Sequence, residues 1–209
     1  MYRDGSITDY VGDAAAKKPA PGGGSVSALV GALAAAMSEM SANFTTGKKK
    51  FADVQEEVRK ALDTLEACRT TLLELLDRDV EAYSAVSRAY ALPGDSEEEQ
   101  EARRKAIDSA LRGAMQAPLE VMRQCAAVAE VADVLVEIGN RNLITDVGVS
   151  ALLAEAACAA ARMNVEINLK FLKEAELAER TRSEVDGLTR QTRSARERVS
   201  RQVGRYLAS

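Results

Sequence analysis

The sequence predicts an all-α protein: an antiparallel bundle of about six helices, two of them long. Aromatic residues make up only 4% of the 209 residues and Trp is absent. The core must therefore consist of Ala, Leu, Val and Met, which suits closely packed helices. Apolar residues recur every three or four positions, and no stretch alternates with the two-residue period of a strand. The balance of 46% hydrophobic and 29% charged residues is typical of a folded chain, and we predict one domain over residues 1–209.

Cap and breaker residues bound the first three helices. A short helix begins near Ser6 and ends before Pro19, where the only Pro/Gly-rich segment of the chain starts. Ser25 is the predicted N-cap of a second helix, over about 26–42, whose stripe of small residues allows close packing. A long helix then runs over about 52–92 and ends at a Pro-Gly pair.

The remaining helices follow from the same signals. Ser96 and Glu99 form a predicted capping box for a second long helix. Asp146 is the predicted cap of a fifth helix that ends near residue 179, and a basic helix follows at about 180–209. A 40-residue helix is about 60 Å long, which is more than one small globule covers. The two long helices therefore predict a homodimer.

Composition excludes several kinds of chemistry. The chain has no His, which rules out a His general base and His metal ligands. Its three Cys are far apart and form no C-x-x-C pair, so we predict no metal site, no disulfide framework and no cofactor. Free thiols and a start without a secretory signal predict a cytoplasmic protein. The longest weakly polar run, Val26–Met37, is too short to cross a membrane, and we expect no membrane partner.

The C-terminal segment has its own charge balance. From Arg180 to Ser209 there are eight Arg and three acidic residues, a net charge of +5 that leaves −9 for the rest of the chain. A polyanion-binding arm is one interpretation. We favour a solvated helix face that pairs with an acidic body, because no aromatic residues interleave with the arginines, and we expect no nucleic-acid partner.

Two segments are candidate anion sites. The first is the turn before the second helix, where free backbone N–H groups and the helix dipole attract anions; it comprises Pro21, Gly22, Gly23, Gly24 and Ser25. The second is Asn43 with the cations Lys48, Lys49 and Lys50. Its Gly47-Lys48 pair resembles a phosphate-binding loop but lacks the required Ser or Thr at position 49. The plainer interpretation of the glycine segment is a sharp turn between two helices. The plainer interpretation of the lysine segment is a solvated cluster of cations.

Acidic and amide residues complete the set of candidates. Asp79 lies on the apolar stripe of its helix, where a carboxylate needs a partner or has a raised pKa. Asn164 and Asn168 lie one turn apart on the predicted inner stripe of the fifth helix and bond either a neighbouring helix or a polar ligand. Asn140 and Asp146 precede that helix, in a loop suited to close over a pocket.

Four motifs together resemble one family. They are Pro19-Ala20-Pro21-Gly22-Gly23-Gly24-Ser25, Asn43-Phe44-Thr45-Thr46-Gly47-Lys48-Lys49-Lys50-Phe51, Gly139-Asn140 with Thr145–Val149, and Asn164-Val165-x-x-Asn168-Leu169. Their order and spacing, over about residues 6–175, resemble the formimidoyltetrahydrofolate cyclodeaminase / methenyltetrahydrofolate cyclohydrolase family. The resemblance implies an all-helical dimer that acts on tetrahydrofolate one-carbon units without a metal. It also implies that the glycine turn and the lysines bind folate carboxylates.

The resemblance leaves two reactions open. A cyclohydrolase opens 5,10-methenyltetrahydrofolate with water to give 10-formyltetrahydrofolate, and a cyclodeaminase closes 5-formimidoyltetrahydrofolate with loss of ammonia. We favour the cyclohydrolase because the chain stands without a formiminotransferase domain. Our hypothesis is that Asp79 or Asp146 is the acid/base and that Lys48 orients or polarises the substrate. The alternative function is not catalytic: the protein would then be a helical dimer or scaffold.

Overall fold

The computed structural model describes all 209 residues as a helical bundle without strands. The six α-helices are α1 (Ile7–Ala15), α2 (Gly23–Asn43), α3 (Gln55–Tyr90), α4 (Glu97–Ile138), α5 (Ile144–Phe171) and α6 (Ala175–Leu207). Short 3₁₀ turns lie at Tyr2–Asp4, Lys49–Val54 and Arg141–Leu143. The prediction of an all-α bundle of about six helices, with two long ones, is confirmed.

Helix α2 packs against α3, α4 and α5. Its stripe of small residues is fully buried. A Cβ on Gly31 would lie 3.0 Å from both the Cys125 sulfur and Leu72, so the small residue sets how closely these helices approach. All three cysteines are buried free thiols, as predicted, and burial raises the pKa of Cys68 to about 11.

Three predicted helix ends are wrong. Gly22, not Ser25, is the N-cap of α2, because Ser25 lies within the first turn and uses its hydroxyl elsewhere. Asp146 is not a cap either, because α5 continues directly from a 3₁₀ turn and begins at Ile144. Helix α5 ends at Phe171, and α6 begins at Ala175 after an extended link. No Gly or Pro marks that link, so the sequence did not indicate the break. The predicted capping box of Ser96 and Glu99 is present.

The basic helix α6 packs against acidic residues of the bundle. Arg196 forms a two-pronged ion pair with Glu155 of α5, and the Arg198 Nε lies 2.7 Å from Asp133 of α4. These contacts favour the interpretation of α6 as a paired, solvated helix face.

Two helical stretches are longer and more apolar than the run Val26–Met37 suggests. By length and composition alone, Gly23–Asn43 and Arg141–Phe171 are long and apolar enough to cross a bilayer. The bundle buries 56% of the first stretch and 39% of the second. The core therefore accounts for only part of their apolar surface.

Candidate active site

A pocket of about 370 Å³ opens where the start of α2 meets the middle of α3 and the end of α5. Its floor is the glycine turn, and its walls are mostly apolar and aromatic side chains. The polar side chains in its lining are Asp79, Asn164, Asn168, Tyr83 and Tyr90. A largely apolar cavity with a few convergent polar groups is the usual form of a small-molecule site.

Asp79 is the only charged side chain in the lining. Its Oδ2 accepts a hydrogen bond of 2.9 Å from the backbone N–H of Ser25, in the first turn of α2. Burial raises the pKa of the Asp79 carboxyl, and the Ser25 N–H partly offsets that rise. No Lys or Arg lies in the pocket to neutralise the carboxylate. A carboxyl with a raised pKa is suited to accept and return a proton near neutral pH.

The glycine turn lets the α2 backbone approach this carboxylate. A Cβ on Gly24 would lie only 2.1 Å from Asp79 Oδ1, and a Cβ on Gly23 would lie 3.2 Å from the Asn164 amide nitrogen. A side chain at position 24 cannot coexist with Asp79 in its present position. The sequence predicted either an anion site or a sharp turn at these glycines. The structure shows instead that they let the start of α2 lie close to the Asp79 carboxylate.

A hydrogen bond behind the turn connects α1 to the site. The Ser25 hydroxyl lies 3.0 Å from the Tyr10 hydroxyl, and Tyr10 is buried. The Tyr10 ring packs edge-on against Tyr2 with centroids 5.4 Å apart. The hydrogen bond between Tyr10 and Ser25 fixes the position of Ser25. The backbone N–H of Ser25 in turn donates to Asp79 Oδ2.

Asn164 and Asn168 lie in the pocket wall, one turn apart on α5. Each amide nitrogen donates to a carbonyl of its own helix, at 2.9 Å to Ala160 and 2.7 Å to Asn164. Neither forms a side-chain bond to a neighbouring helix, which was one of the two predicted roles. The amide oxygens are left as acceptors for a polar ligand.

Three aromatic side chains of the pocket were not predicted as site residues. Tyr83, Tyr90 and Phe171 are among only eight aromatic residues in the chain, and all three are more than a third exposed. Helical spacing alone predicts that Phe171 and Ile167 share the inner stripe of α5 with Asn164, but this prediction is wrong because both residues line the pocket and are half exposed. The small number of aromatic residues was the signal in the sequence that could have identified these site residues. A core built from aliphatic side chains needs no aromatic rings, so the few that are present are available to bind a ligand.

The other predicted site residues lie at the opposite end of α2. That helix has 21 residues and is about 31 Å long. Asn140 is fixed there by its backbone N–H, which donates to Thr45 Oγ1 at 3.0 Å. Asn43, Lys48, Lys49 and Lys50 are exposed at the end of α2 and just after it, and Asp146 is half-buried in the first turn of α5. The chain therefore does not bring Lys48 or Asp146 to Asp79, contrary to the single site expected from the sequence.

The fold and the pocket define a class: an all-α protein with an aromatic pocket for a small molecule and one half-buried carboxylate. No group of three or more Cys, Asp or Glu side chains is placed to hold a metal ion.

Comparison with known proteins then gives the family. The family model described as formiminotransferase-cyclodeaminase matches residues 6–187, and the chain belongs to this family. It is 37% identical over 199 residues to the methenyltetrahydrofolate cyclohydrolase of Methylorubrum extorquens, covering 95% of this chain and 96% of that protein. It is 31% identical to the formimidoyltransferase-cyclodeaminase of Rattus norvegicus, of which the match spans only 35%.

A solved structure has the same fold. The crystal structure of formiminotetrahydrofolate cyclodeaminase from Thermotoga maritima matches with a TM-score of 0.89 at 31% identity. The match covers 99% of this chain and 100% of that one. The resemblance predicted from the four motifs is confirmed.

Proposed function

We propose that the protein is a methenyltetrahydrofolate cyclohydrolase, which hydrolyses 5,10-methenyltetrahydrofolate to 10-formyltetrahydrofolate. The observation that carries the proposal is Asp79, a single half-buried carboxylate with a raised pKa in an aromatic pocket. The Methylorubrum relative, which matches this chain over nearly its whole length, bears the name of that activity.

Asp79 supplies the proton transfers of this reaction. As the carboxylate, it takes a proton from water as the water oxygen attacks the carbon that bridges N5 and N10. The resulting tetrahedral carbon carries a hydroxyl group and both nitrogens. Protonated Asp79 then gives its proton to N5 as the C–N5 bond breaks, and the hydroxyl loses a proton to solvent as the formyl C=O forms. The balance is one water consumed and one proton released.

The rest of the pocket suits a reduced folate. The rings of Tyr83, Tyr90 and Phe171 offer stacking surfaces for the pterin and aminobenzoyl rings. The free amide oxygens of Asn164 and Asn168 match the N–H donors of the pterin edge. Lys48 and Asp146 have no direct role within one chain, because both lie at the far end of α2.

A cyclodeaminase is the second candidate. The Thermotoga structure, which bears that name, matches over the whole chain. Its reaction also passes through a tetrahedral carbon, as N10 attacks the formimidoyl carbon and ammonia leaves, so the same carboxyl serves both reactions. We favour the cyclohydrolase because the identity to the Methylorubrum protein is the higher of the two, at 37% against 31%.

One assay separates the candidates. Purified protein is mixed with 5,10-methenyltetrahydrofolate, and loss of the methenyl chromophore is compared with the spontaneous rate and with an Asp79→Asn variant. Acceleration by the wild type alone supports the cyclohydrolase. If neither protein accelerates the loss, the cyclohydrolase proposal is wrong, and formation of the chromophore with ammonia from 5-formimidoyltetrahydrofolate tests the cyclodeaminase.

The proposal includes a homodimer in the cytoplasm that works without a bound cofactor. The free cysteines and the folate substrate support the location. The exposed apolar faces of α2 and α5 support the dimer.

A further inference from the structure

We propose that Tyr10 is a positioning residue for Asp79, and that the N-terminal segment, residues 1–5, keeps Tyr10 in place. Neither Tyr10 nor this segment lies in the lining of the pocket. Both act on the carboxyl from behind, through the start of α2. The inference rests on the proposed function for the role of Asp79, whereas its geometry does not depend on the ligand.

The start of α2 has little rigidity of its own. Its N-cap is Gly22, and Gly23 and Gly24 follow in the first turn; glycine is the residue with the most backbone freedom. Gly22 also has no side chain that could accept from the free N–H groups of that turn. The Asp79 carboxylate takes the place of such a cap, because its Oδ2 accepts from the Ser25 N–H at 2.9 Å. The proposed acid/base is therefore held by a turn that itself needs support.

Tyr10 supplies this support. Its hydroxyl lies 3.0 Å from the Ser25 hydroxyl, and this is the only hydrogen bond that either hydroxyl forms. Tyr10 is 5% exposed and Ser25 is fully buried, so water does not replace the bond if it is lost. Besides Asp79, Tyr10 is the only hydrogen-bond partner that another helix provides to residues 22–25. The position of the Ser25 N–H therefore depends on the Tyr10 hydroxyl.

Residues 1–5 hold Tyr10 in turn. The Tyr2 ring packs edge-on against the Tyr10 ring, with the two planes at 89°. The Tyr2 backbone N–H donates to Oδ1 of the buried Asp77 on α3 at 2.8 Å. The Tyr2 hydroxyl donates to Asp13 Oδ2 on α1, also at 2.8 Å. Tyr2 therefore joins α1 to α3 directly beside Tyr10.

Few titratable groups surround Asp79, so its protonation reports on the Ser25 hydrogen bond. The surrounding groups on α3 and α1 are three tyrosines and one carboxylate: Tyr83, Tyr90, Tyr10 and Asp77. The parts of α2, α4 and α5 in the lining carry no titratable side chain. Burial raises the pKa of the Asp79 carboxyl, and the Ser25 N–H lowers it. Weakening that one hydrogen bond should therefore raise the pKa of Asp79 further.

Tyr10→Phe tests the proposal, because it keeps the ring and removes only the hydroxyl. We expect kcat for methenyltetrahydrofolate to fall by about 2–10-fold, which is the effect of one lost hydrogen bond on the fraction of correctly placed carboxyl. KM should change little, since Tyr10 does not line the pocket. The acidic limb of the pH–rate profile should move to higher pH by about 0.4–1 unit. A folded variant with full kcat and an unmoved limb overturns the proposal.

A matched control and a second variant test the same bond. Tyr206→Phe also removes a tyrosine hydroxyl, near the end of α6 and away from the pocket, and should keep the kcat and the pH profile of the wild type. Ser25→Ala removes the other hydroxyl of the pair. Tyr10→Phe/Ser25→Ala should be no slower than either single variant, because both changes delete one shared bond. Losses that multiply in the double variant would show that the two hydroxyls act separately, which contradicts the proposal.

The role of residues 1–5 is tested with Tyr2→Ala, which removes the ring but keeps the backbone N–H that donates to Asp77. We expect the same signature as for Tyr10→Phe, a lower kcat with the acidic limb at higher pH. Tyr2→Ala should have no further effect when it is added to Tyr10→Phe. Tyr206→Ala is the matched control, and thermal melting sets an assay temperature at which every variant is folded. No loss of kcat, or an equal loss in both backgrounds, overturns the role of the segment.

Carbon-13 NMR separates failure of this inference from failure of the proposed function. The Asp79 carboxyl signal, identified by its absence from Asp79→Asn, is titrated without substrate in the wild type and in Tyr10→Phe. A pKa that is higher in Tyr10→Phe by about 0.4–1 unit supports the positioning role, even if the wild type turns over neither folate and the proposed function is wrong. An unchanged pKa in an enzyme that turns over methenyltetrahydrofolate refutes the positioning role and leaves the proposed function in place.

Discussion

Substitution of Gly24 by Ala tests whether the start of α2 sets the position of Asp79. The added Cβ would lie 2.1 Å from Asp79 Oδ1. Ordinary van der Waals contact begins at 3.4 Å, so the carboxylate must move by about 1.3 Å. That displacement disrupts the 2.9 Å hydrogen bond from the Ser25 N–H, a bond to a charged group worth about 1.5–3 kcal/mol.

We expect Gly24→Ala to lower kcat by about 100-fold, because a misplacement of about 1 Å has roughly that effect on catalysis. The gain of about 1 kcal/mol in helix propensity offsets only part of the lost hydrogen bond, so the variant should lose about 0.5–2 kcal/mol of stability and melt a few degrees lower. The assay is chromophore loss from methenyltetrahydrofolate, with thermal melting alongside.

Gly187→Ala is the control for this variant. Gly187 lies inside α6, and its added Cβ would meet nothing within 4 Å. This variant should keep full activity and become more stable by about 1 kcal/mol. If Gly24→Ala retains wild-type kcat, the position that the start of α2 gives to Asp79 does not limit catalysis.

Four further predictions concern the pocket residues and the absence of a metal from the proposed mechanism. Asp79→Asn should lower kcat by about 10²–10⁴-fold and remove the acidic limb of the pH–rate profile; a variant with an unchanged profile would show that Asp79 is not the acid/base. Because burial raises the pKa of Asp79 above its unfolded value of about 3.9, ionised Asp79 destabilises the fold. This loss of stability is absent at pH values below the unfolded-state pKa of Asp79, and it reaches its full size at pH values above the folded-state pKa. Asp79→Asn should therefore melt above the wild type at pH 7, with the gap closing as the pH falls toward 4; an equal or lower melting temperature at pH 7 contradicts this. Phe171→Leu should raise KM by about 2–10-fold with kcat nearly unchanged, and a fall in kcat alone would mean that the ring does not bind substrate. Dialysis against a chelator should leave activity intact, whereas loss that zinc or magnesium restores would reveal a metal.

Local signals were sufficient for most of the fold. The helical period, the capping box at Ser96 and the breaker pair at Pro93-Gly94 located α3 and α4 closely, because these features act within a few residues of chain. The end of α5 was missed because no Gly, Pro or side-chain cap marks the extended link that begins at Leu172. Ser25 was misassigned because its backbone N–H is satisfied by a carboxylate 54 residues away rather than by a local cap.

The sequence by itself determined the all-α class, the family and the identities of the polar residues, because composition, period and motif order are properties of the chain. It also identified Asp79 as a carboxylate on an apolar stripe. Only the tertiary structure decided which of these residues meet. One rigid helix of about 31 Å separates Gly23 from Asn43, so Asp79 and Lys48 cannot share a pocket within one chain, however close their motifs lie in sequence. The tertiary structure also left apolar side chains such as Leu33 of α2 and Leu152 of α5 exposed, because a helix with apolar residues on two sides buries only one side in its own core.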